Sequence, residues 1–363
     1  MKKKTAVAIS GGIDSLVSAY LLKEEGCEVT GIHFLTGYEE EYGKQAEKNG
    51  EAALRKISGL AGQLDIRIEI LDCSREFKTK VVDYFTHTYR SGKTPNPCLV
   101  CNPLIKFGTV LDFALKLGAE SLATGHYAGK IKGKDGLFHL VKGADTKKDQ
   151  SYFLSFLTQA QLSRAIFPLS RFTKQEVIRL AGEKGLRPAV ESESQDICFI
   201  REMSYGRFLS QETGFVPESG AVVDIGGKRI GSHRGIHLFT VGQRRGINCP
   251  ASEPYYVIST DAEKNLVVVG SKKDLLTDRC RVTGINWISK EHTSPIEVHT
   301  RIRYRNKAVI STLIPDGRRT AAVIFKSPQQ AVAPGQGAVF YLENEVLGGG
   351  FIDGFVHQQA EGE

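Results

Sequence analysis

The sequence has no run of about 20 apolar residues, the length a bilayer-spanning helix requires, so no membrane partner is expected. The apolar stretch behind its basic start, Ala6 to Ile9, is too short for a signal-peptide core, so the expected address is cytoplasmic. In that compartment its seven cysteines read as thiols, metal ligands or catalysts instead of a disulfide framework. The paired-glycine loop after the first apolar run does not end in Gly-Lys-Ser/Thr, so cleavage at a γ-phosphate is not expected. One Cys-x-x-Cys is present and a second is missing, which argues against a structural zinc site with two close ligand pairs. Internal repeats and low-complexity tracts are also lacking.

What remains is 363 residues with the polar balance of a globular protein, enough for two or three domains. The formal charge of +7 is unevenly spread. Between Leu276 and Gln330 there are ten Lys or Arg against four Asp or Glu, so this window holds nearly the whole excess. A polyanionic partner is compatible with that charge.

The first 200 residues alternate short apolar runs with helical spacing. Strands are expected at Lys4 to Ile9, Glu28 to Phe34, Ile66 to Leu71 and Ser121 to Thr124. Helices are expected at Asp14 to Glu25, Glu51 to Leu64, Arg75 to Tyr89 and Asn102 to Leu117, with a polar surface loop over Thr36 to Gly50. The pattern implies an α/β fold, a parallel doubly wound sheet with ligands beyond the carboxyl ends of its strands. After residue 205 short β runs take over, from Ala221 to Asp224 through Ile296 to Tyr304 to Ala338 to Leu342. The expected domains are 1–204 (adenylating), 205–275 (small and β-rich) and 276–363 (a C-terminal β-barrel).

Ser10-Gly11-Gly12-Ile13-Asp14-Ser15 lies between the first strand and the first helix. Paired glycines let backbone approach a ligand, and amides at a helix start face an anion. Ser10 and Ser15 add hydroxyls, and Asp14 is placed to hold Mg2+ or orient pyrophosphate. The plain alternative is a tight turn with Asp14 as helix cap. The spelling resembles the pyrophosphatase (PP) loop of the ATP-adenylating superfamily, which implies attack at the α-phosphate with release of pyrophosphate.

Cys98 and Cys101 follow two stiffening prolines in Thr94-Pro95-Asn96-Pro97-Cys98-Leu99-Val100-Cys101-Asn102. A helix beginning at Asn102, reinforced by Lys106, would lower the thiol pKa from its free value of about 8.5. Cys198 stands far away in Ser194-Gln195-Asp196-Ile197-Cys198-Phe199-Ile200. Cys27, Cys73, Cys249 and Cys280 read as inert.

These motifs, with Lys148-Asp149-Gln150-Ser151-Tyr152-Phe153-Leu154, Val241-Gly242-Gln243-Arg244-Arg245-Gly246 and Arg303-Tyr304-Arg305, resemble those of the bacterial tRNA-specific 2-thiouridylases in order and spacing. The likeness covers essentially the whole chain. It implies ATP over Ala8, Ile9 and the loop Ser10 to Ser15, with Phe34 and Gly125 walling the adenine. It implies 2-thiolation of the wobble uridine in tRNAs for lysine, glutamate and glutamine, through adenylation of the uridine oxygen. Cys198 matches the persulfide carrier, and Cys101 the thiol that attacks it, leaving a disulfide to be reduced each turnover. The sulfur then comes from a persulfide or sulfide donor, a sulfur-relay protein or cysteine desulfurase.

Some relatives carry Asp at the position of Cys98. A thiol there is a weaker base, a spare thiol or a metal ligand, and Cys98, Cys101 and Cys198 together allow a [4Fe–4S] cluster with one open iron. Asn96, Pro97 and Cys98 match positions at the target base. His126, Lys148, Asp149, Gln150, Tyr304, Arg305 and Gln336 match tRNA contacts, with Arg301, Arg303 and Arg305 alternating around Tyr304 on a basic strand. An amidating ligase or lysidine synthetase of the same superfamily would not need Cys101 with Cys198. A non-catalytic RNA-binding protein with a metal-bound cysteine cluster leaves the Gly-Gly loop unexplained.

Overall fold

Ala6, Val7, Ala8 and Ile9 are all buried, which makes the first strand the centre of a sheet and not its edge. The computed structural model describes residues 2–39, 57–190, 197–200, 205–250 and 252–354. The contacts divide the chain into two units, each assembled from separate segments. The first comprises Met1–Val82, Cys98–Phe199 and Asn344–Leu347; the second Asp83–Pro97, Ile200–Glu343 and Gly348–Glu363.

In the first unit, β1 (Lys4–Ala8) pairs in parallel with β2 (Glu28–Leu35) and β4 (Ser121–Ala123). β3 (Arg67–Asp72) and β7 (Ala165–Ile166) extend the sheet to the order β3-β2-β1-β4-β7, parallel throughout. Leu16, Val17 and Leu22 of α1 (Ile13–Glu24) pack on Val7 and Ile9, with Leu60 of helix α2 (57–64) and Val177 and Ala181 of a later helix in the same core. The expected loop over residues 40–50 and the first part of the helix expected at Glu51 to Leu64 lie outside the described residues.

α3 (Ser74–Phe77) runs into a wide turn at Lys78–Val82, and α4 (Asp83–Arg90) follows in the second unit. The next helix, α5 (Pro97–Lys116), begins five residues before the expected Asn102. Proline at a helix start loses nothing, because the first amides have no intrahelical partner. Pro103 lies inside the helix and has no N–H to donate, and Asn102–Val110 is wound in wider, π-type turns. By length and composition α5 passes as a membrane span, contrary to the expectation that no such stretch exists. Leu99, Ile105, Phe107, Val110, Leu111 and Ala114 are buried within the protein, so α5 is a core helix.

The sequence pattern did not disclose the antiparallel hairpin β5 (Ala128–Lys132) and β6 (Phe138–Lys142). Leu140 and Val141 pair with Val346 and Glu345 from the far end of the chain. His139 seals that junction, with Nδ1 2.6 Å from Glu345 Oε1 and Nε2 3.2 Å from Asp135 Oδ1. α6 (Gln159–Arg164) and α7 (Lys174–Glu183) each start on a threonine capping box, Thr158 with Gln161 and Thr173 with Glu176.

The second unit contains α8 (Tyr205–Thr213) and a four-stranded sheet. Its strands are β8 (Gly220–Asp224), β9 (Arg229–His233), β10 (Tyr256–Asp261) and β11 (Leu266–Gly270), in the order β10-β11-β8-β9. A six-stranded antiparallel barrel follows, from β12 (Leu276–Trp287), β13 (Ile296–Arg301), β14 (Val309–Gly317), β15 (Thr320–Gln330), β16 (Gly337–Leu342) and β17 (Glu345–Gly354). Pairing of β12 with β17 closes it. β13 ends at Arg301, so the expected strand through Tyr304 is a turn over 302–308.

Candidate active site

The carboxyl ends of β1, β2 and β4 converge on the Ser10–Ser15 loop, as a parallel sheet dictates. Gly12, not Asp14, is the helix cap, and no side chain caps it, so the first amides of α1 remain open to an anion. The loop braces itself: Ser15 Oγ donates to the Gly12 carbonyl at 2.8 Å, and the Gly12 amide donates to Ser10 Oγ at 3.4 Å. Gly11 takes φ +87°, a left-handed conformation that costs glycine little. A Cβ on Gly125, beyond β4, would lie 2.9 Å from the Asp14 carbonyl carbon and 3.0 Å from the Ser15 amide. Only a hydrogen fits there. Phe34 is half-buried near the end of β2, beside His33, whose Nδ1 lies 2.8 Å from the Ile9 carbonyl.

Sequence reasoning missed two groups at this loop. Lys174 Nζ donates to both carboxylate oxygens of Asp14, at 2.8 and 2.9 Å, and Tyr127 Oη donates to Asp14 Oδ1 at 2.8 Å. Asp14 therefore already carries a cation and a hydroxyl where Mg2+ was expected. Open amides, a left-handed glycine and a side-chain-free wall fit a nucleotide triphosphate.

The thiols are on the same unit. Cys98 lies in the first turn of α5 and Cys101 in the next, while Cys198 sits in the segment 197–200. Phe199 anchors that segment, its ring 5.6 Å from Phe77 and 5.9 Å from Tyr38. Ser194, Gln195 and Asp196 lie outside the described residues. Solvent reaches Cys98 and Cys198, whereas Cys101 is half-covered. Loss of solvation around the sulfur nevertheless pushes the Cys98 thiol up to about 11, with Cys198 adding to the rise and Lys106 opposing it. Burial drives Cys101 further in the same direction; Lys106 pulls it down, and Cys198, Cys98 and Cys73 push it up. These couplings bring the three thiols and Lys106 together as one electrostatic group.

The expectation of a lowered thiol is thus corrected: loss of solvation outweighs the opposing charge of Lys106. Cys98 is protonated at neutral pH, and its thiolate fraction grows as pH rises toward 11. Alkylation of Cys98 by iodoacetamide, followed by peptide mass mapping, should accelerate about tenfold per pH unit from 7 to 10. A plateau by pH 8 would contradict this.

His126 is buried, with Nδ1 2.7 Å from Thr124 Oγ1 and Nε2 3.5 Å from Lys106 Nζ. Burial and the Lys106 charge hold its pKa well below the usual value, so the ring is neutral and both nitrogens face protein groups. Asp149 is buried as well, accepting from the Gly143 and Ser151 amides and the Ser151 hydroxyl. It ties the chain together here instead of facing solvent. Lys148 is half-buried, and Gln150 exchanges hydrogen bonds with the Tyr127 backbone.

In the second unit, Asn96 and Pro97 are buried. The basic strand expected around Tyr304 is corrected to a turn that uses its own arginines. Arg301 donates to the Tyr304 and Asn306 carbonyls and stacks over the Tyr304 ring at 5.1 Å. Arg303 donates to the Val241 carbonyl at 2.9 Å. Arg305 and Lys307 are exposed. Gln336 directs its amide at the Thr94 and Pro95 carbonyls.

Known proteins are similar to this chain along nearly its whole length. A model described as the tRNA methyl transferase HUP domain matches residues 3–202, and one described as the tRNA methyl transferase PRC-barrel domain matches 206–271. One described as the aminomethyltransferase beta-barrel domain matches 277–352. The tRNA-specific 2-thiouridylase MnmA of Desulfosudis oleivorans is 50% identical over 347 residues, covering 96% of this chain and 94% of that protein. The chain belongs to the tRNA-specific 2-thiouridylase family. Its MnmA relatives from Syntrophotalea carbinolica (45% identical, 96% of this chain and 98% of that one) and Geobacter metallireducens (44%, 97% of each) are similar over the same span.

Among the described residues no three Cys, His, Asp or Glu side chains group as a metal site.

Proposed function

We propose that this enzyme, a tRNA-uridine 2-sulfurtransferase, replaces the 2-oxygen of a wobble uridine in tRNAs for lysine, glutamate and glutamine. The observation carrying this reading is one unit that holds both an open phosphate loop and a cysteine pair coupled to a third, distant thiol. ATP would sit over Ser10 to Ser15 with Phe34 and Gly125 beside the adenine. Magnesium would neutralise phosphate charge, with Asp14 the near carboxylate. The uridine oxygen attacks the α-phosphorus and pyrophosphate departs, turning a poor leaving group into AMP.

Sulfur enters as a persulfide on Cys198, whose thiolate takes the outer sulfur of a donor persulfide and releases the donor's thiol. Cys101 attacks the Cys198 sulfur, forming the Cys101–Cys198 disulfide and releasing hydrosulfide, which displaces AMP at C2. In the alternative order the persulfide attacks C2 first, AMP leaves, and Cys101 then frees the thiolated base. Either order consumes one external dithiol to reopen the disulfide. Lys106 is the fixed positive charge that favours thiolate on Cys101 against burial.

Exposed Arg305 and Lys307 suit phosphate contacts, and the site of action is the cytoplasm, where reductant is available. Purified enzyme supplied with unmodified tRNA, ATP, cysteine with a cysteine desulfurase as persulfide donor, and dithiothreitol should form 2-thiouridine, AMP and pyrophosphate in equal amounts, read by nucleoside mass spectrometry and pyrophosphate assay. ATP consumption that adds nitrogen instead of sulfur to the RNA would favour a ligase of the same superfamily.

A further inference from the structure

We propose that Gln336 is a positioning residue for the thiol helix, acting through the backbone of Thr94 and Pro95. The proposal rests on the thiouridylase reading and deepens it.

Residues 92–96, between α4 and α5, form no regular element, yet each one is gripped. The Gly92 carbonyl accepts from Thr260 Oγ1 at 2.6 Å. Lys93 Nζ pairs with Asp353 at 2.7 Å, and the Thr94 amide donates to the Pro334 carbonyl at 2.8 Å. Thr94 Oγ1 donates to Thr240 Oγ1 at 3.3 Å, and the Asn96 amide to Tyr84 Oη at 3.4 Å. Tyr84 is in turn tilted against Phe351, with ring centroids 5.9 Å apart.

Gln336 completes the strap. Its Nε2 donates to the Thr94 carbonyl at 3.2 Å and the Pro95 carbonyl at 3.0 Å, so both amide hydrogens are used. The mount is rigid: the Gln336 amide donates to Ala333, and its carbonyl accepts from Ile352 at 2.8 Å. Gly335 has φ +89°, and a Cβ there would lie 2.7 Å from the Thr94 carbonyl oxygen. Backbone therefore meets backbone, and the amide is delivered at fixed reach. The family likeness placed this side chain against tRNA, but here its hydrogens are spent on the segment that leads into Asn96, Pro97 and Cys98. Prolines at 95 and 97 fix φ on either side of Asn96, so a shift at Pro95 is carried into the first turn of α5 with little slack. Displacing a reacting group by about 1 Å costs on the order of a hundredfold in rate.

The test compares Gln336→Glu and Gln336→Met, which keep the side chain's length but lose both donors, with Thr240→Val, a milder loosening of the same segment. Single-turnover thiolation, tRNA affinity and alkylation rates of Cys98 and Cys101 against Cys249 would be measured on full-length protein. The expected result is a fall in turnover of about ten- to a hundredfold with tRNA affinity essentially unchanged. Alkylation of Cys98 and Cys101 should shift while that of Cys249 holds, with Thr240→Val moving the same quantities less. Weakened tRNA binding with unaltered turnover and labelling would make Gln336 a direct RNA contact and overturn the proposal, as would no change in any quantity. The labelling decides the strap even if wild-type protein fails to thiolate tRNA, an outcome that would sink the functional reading alone.

Discussion

Cys198→Ser is expected to abolish formation of 2-thiouridine, by roughly three orders of magnitude or more, while tRNA-dependent pyrophosphate release continues. In the proposed mechanism adenylation of the uridine uses the phosphate loop and not the thiol, so the two half-reactions should separate. The substitution changes one atom on an exposed residue, and the anchoring ring of Phe199 stays in place, so folding should be unaffected. Cys101→Ser should be equally inactive for a different reason. Its Cys198 persulfide, once charged, lacks the Cys101 thiol that would attack it and should persist as a mass increase of one sulfur on the 198 peptide. Thiolation at the wild-type rate by either variant would remove that cysteine from the mechanism. Retention by both would point to an adenylating ligase.

The second large effect comes from one missing side chain. Gly125→Ala would set a methyl group 2.9 to 3.0 Å from backbone atoms of Asp14 and Ser15, at the start of the helix that must accept phosphate. No flexible side-chain tip can yield there, so the loop itself must move. Overpacking of this kind costs about 1–3 kcal/mol. If the strain falls on the ATP-binding geometry, kcat/KM for ATP should drop roughly ten- to a hundredfold, with a modest fall in melting temperature. Tyr127 Oη and Lys174 Nζ converge on the same Asp14 and leave little room for the carboxylate to swing aside. An unchanged KM and kcat for ATP would mean that the loop is not the nucleotide site.

The parts of this site that were legible in the sequence share one property: their chemistry is local. Two adjacent glycines after an apolar run announce a close-approach turn, and the Cys-x-x-Cys announces paired thiols. Lys174 is no such signal. It lies 160 residues from Asp14 on an ordinary amphipathic helix, and only the sheet topology brings the two together. α5 starts at Pro97, five residues before the expected Asn102, and carries Pro103 within it. The first is a favourable opening residue and the second is absorbed by wider turns. Arg301, Arg303 and Arg305 carry the two-residue alternation of a strand. Arg301 instead folds back on the carbonyls of Tyr304 and Asn306, and a turn competes successfully with the ladder. The direction of the thiol pKa shifts was likewise beyond local reading, because burial is set by the whole neighbourhood.

The interleaving of the two units has a consequence for how the protein is made. Neither unit is a continuous stretch: the nucleotide-binding unit recruits Asn344–Leu347, and the barrel-bearing unit recruits Asp83–Pro97. A nascent chain emerging from the ribosome would hold the phosphate loop early, with the edge of its β5–β6 hairpin at Leu140 and Val141 still unpaired. The segment before the thiols would lack Pro334, Gln336 and Asp353, its partners some 240 to 260 residues later. Contacts of such separation form slowly. Sulfur chemistry would therefore switch on only when translation is essentially finished, so that prematurely terminated chains remain catalytically silent.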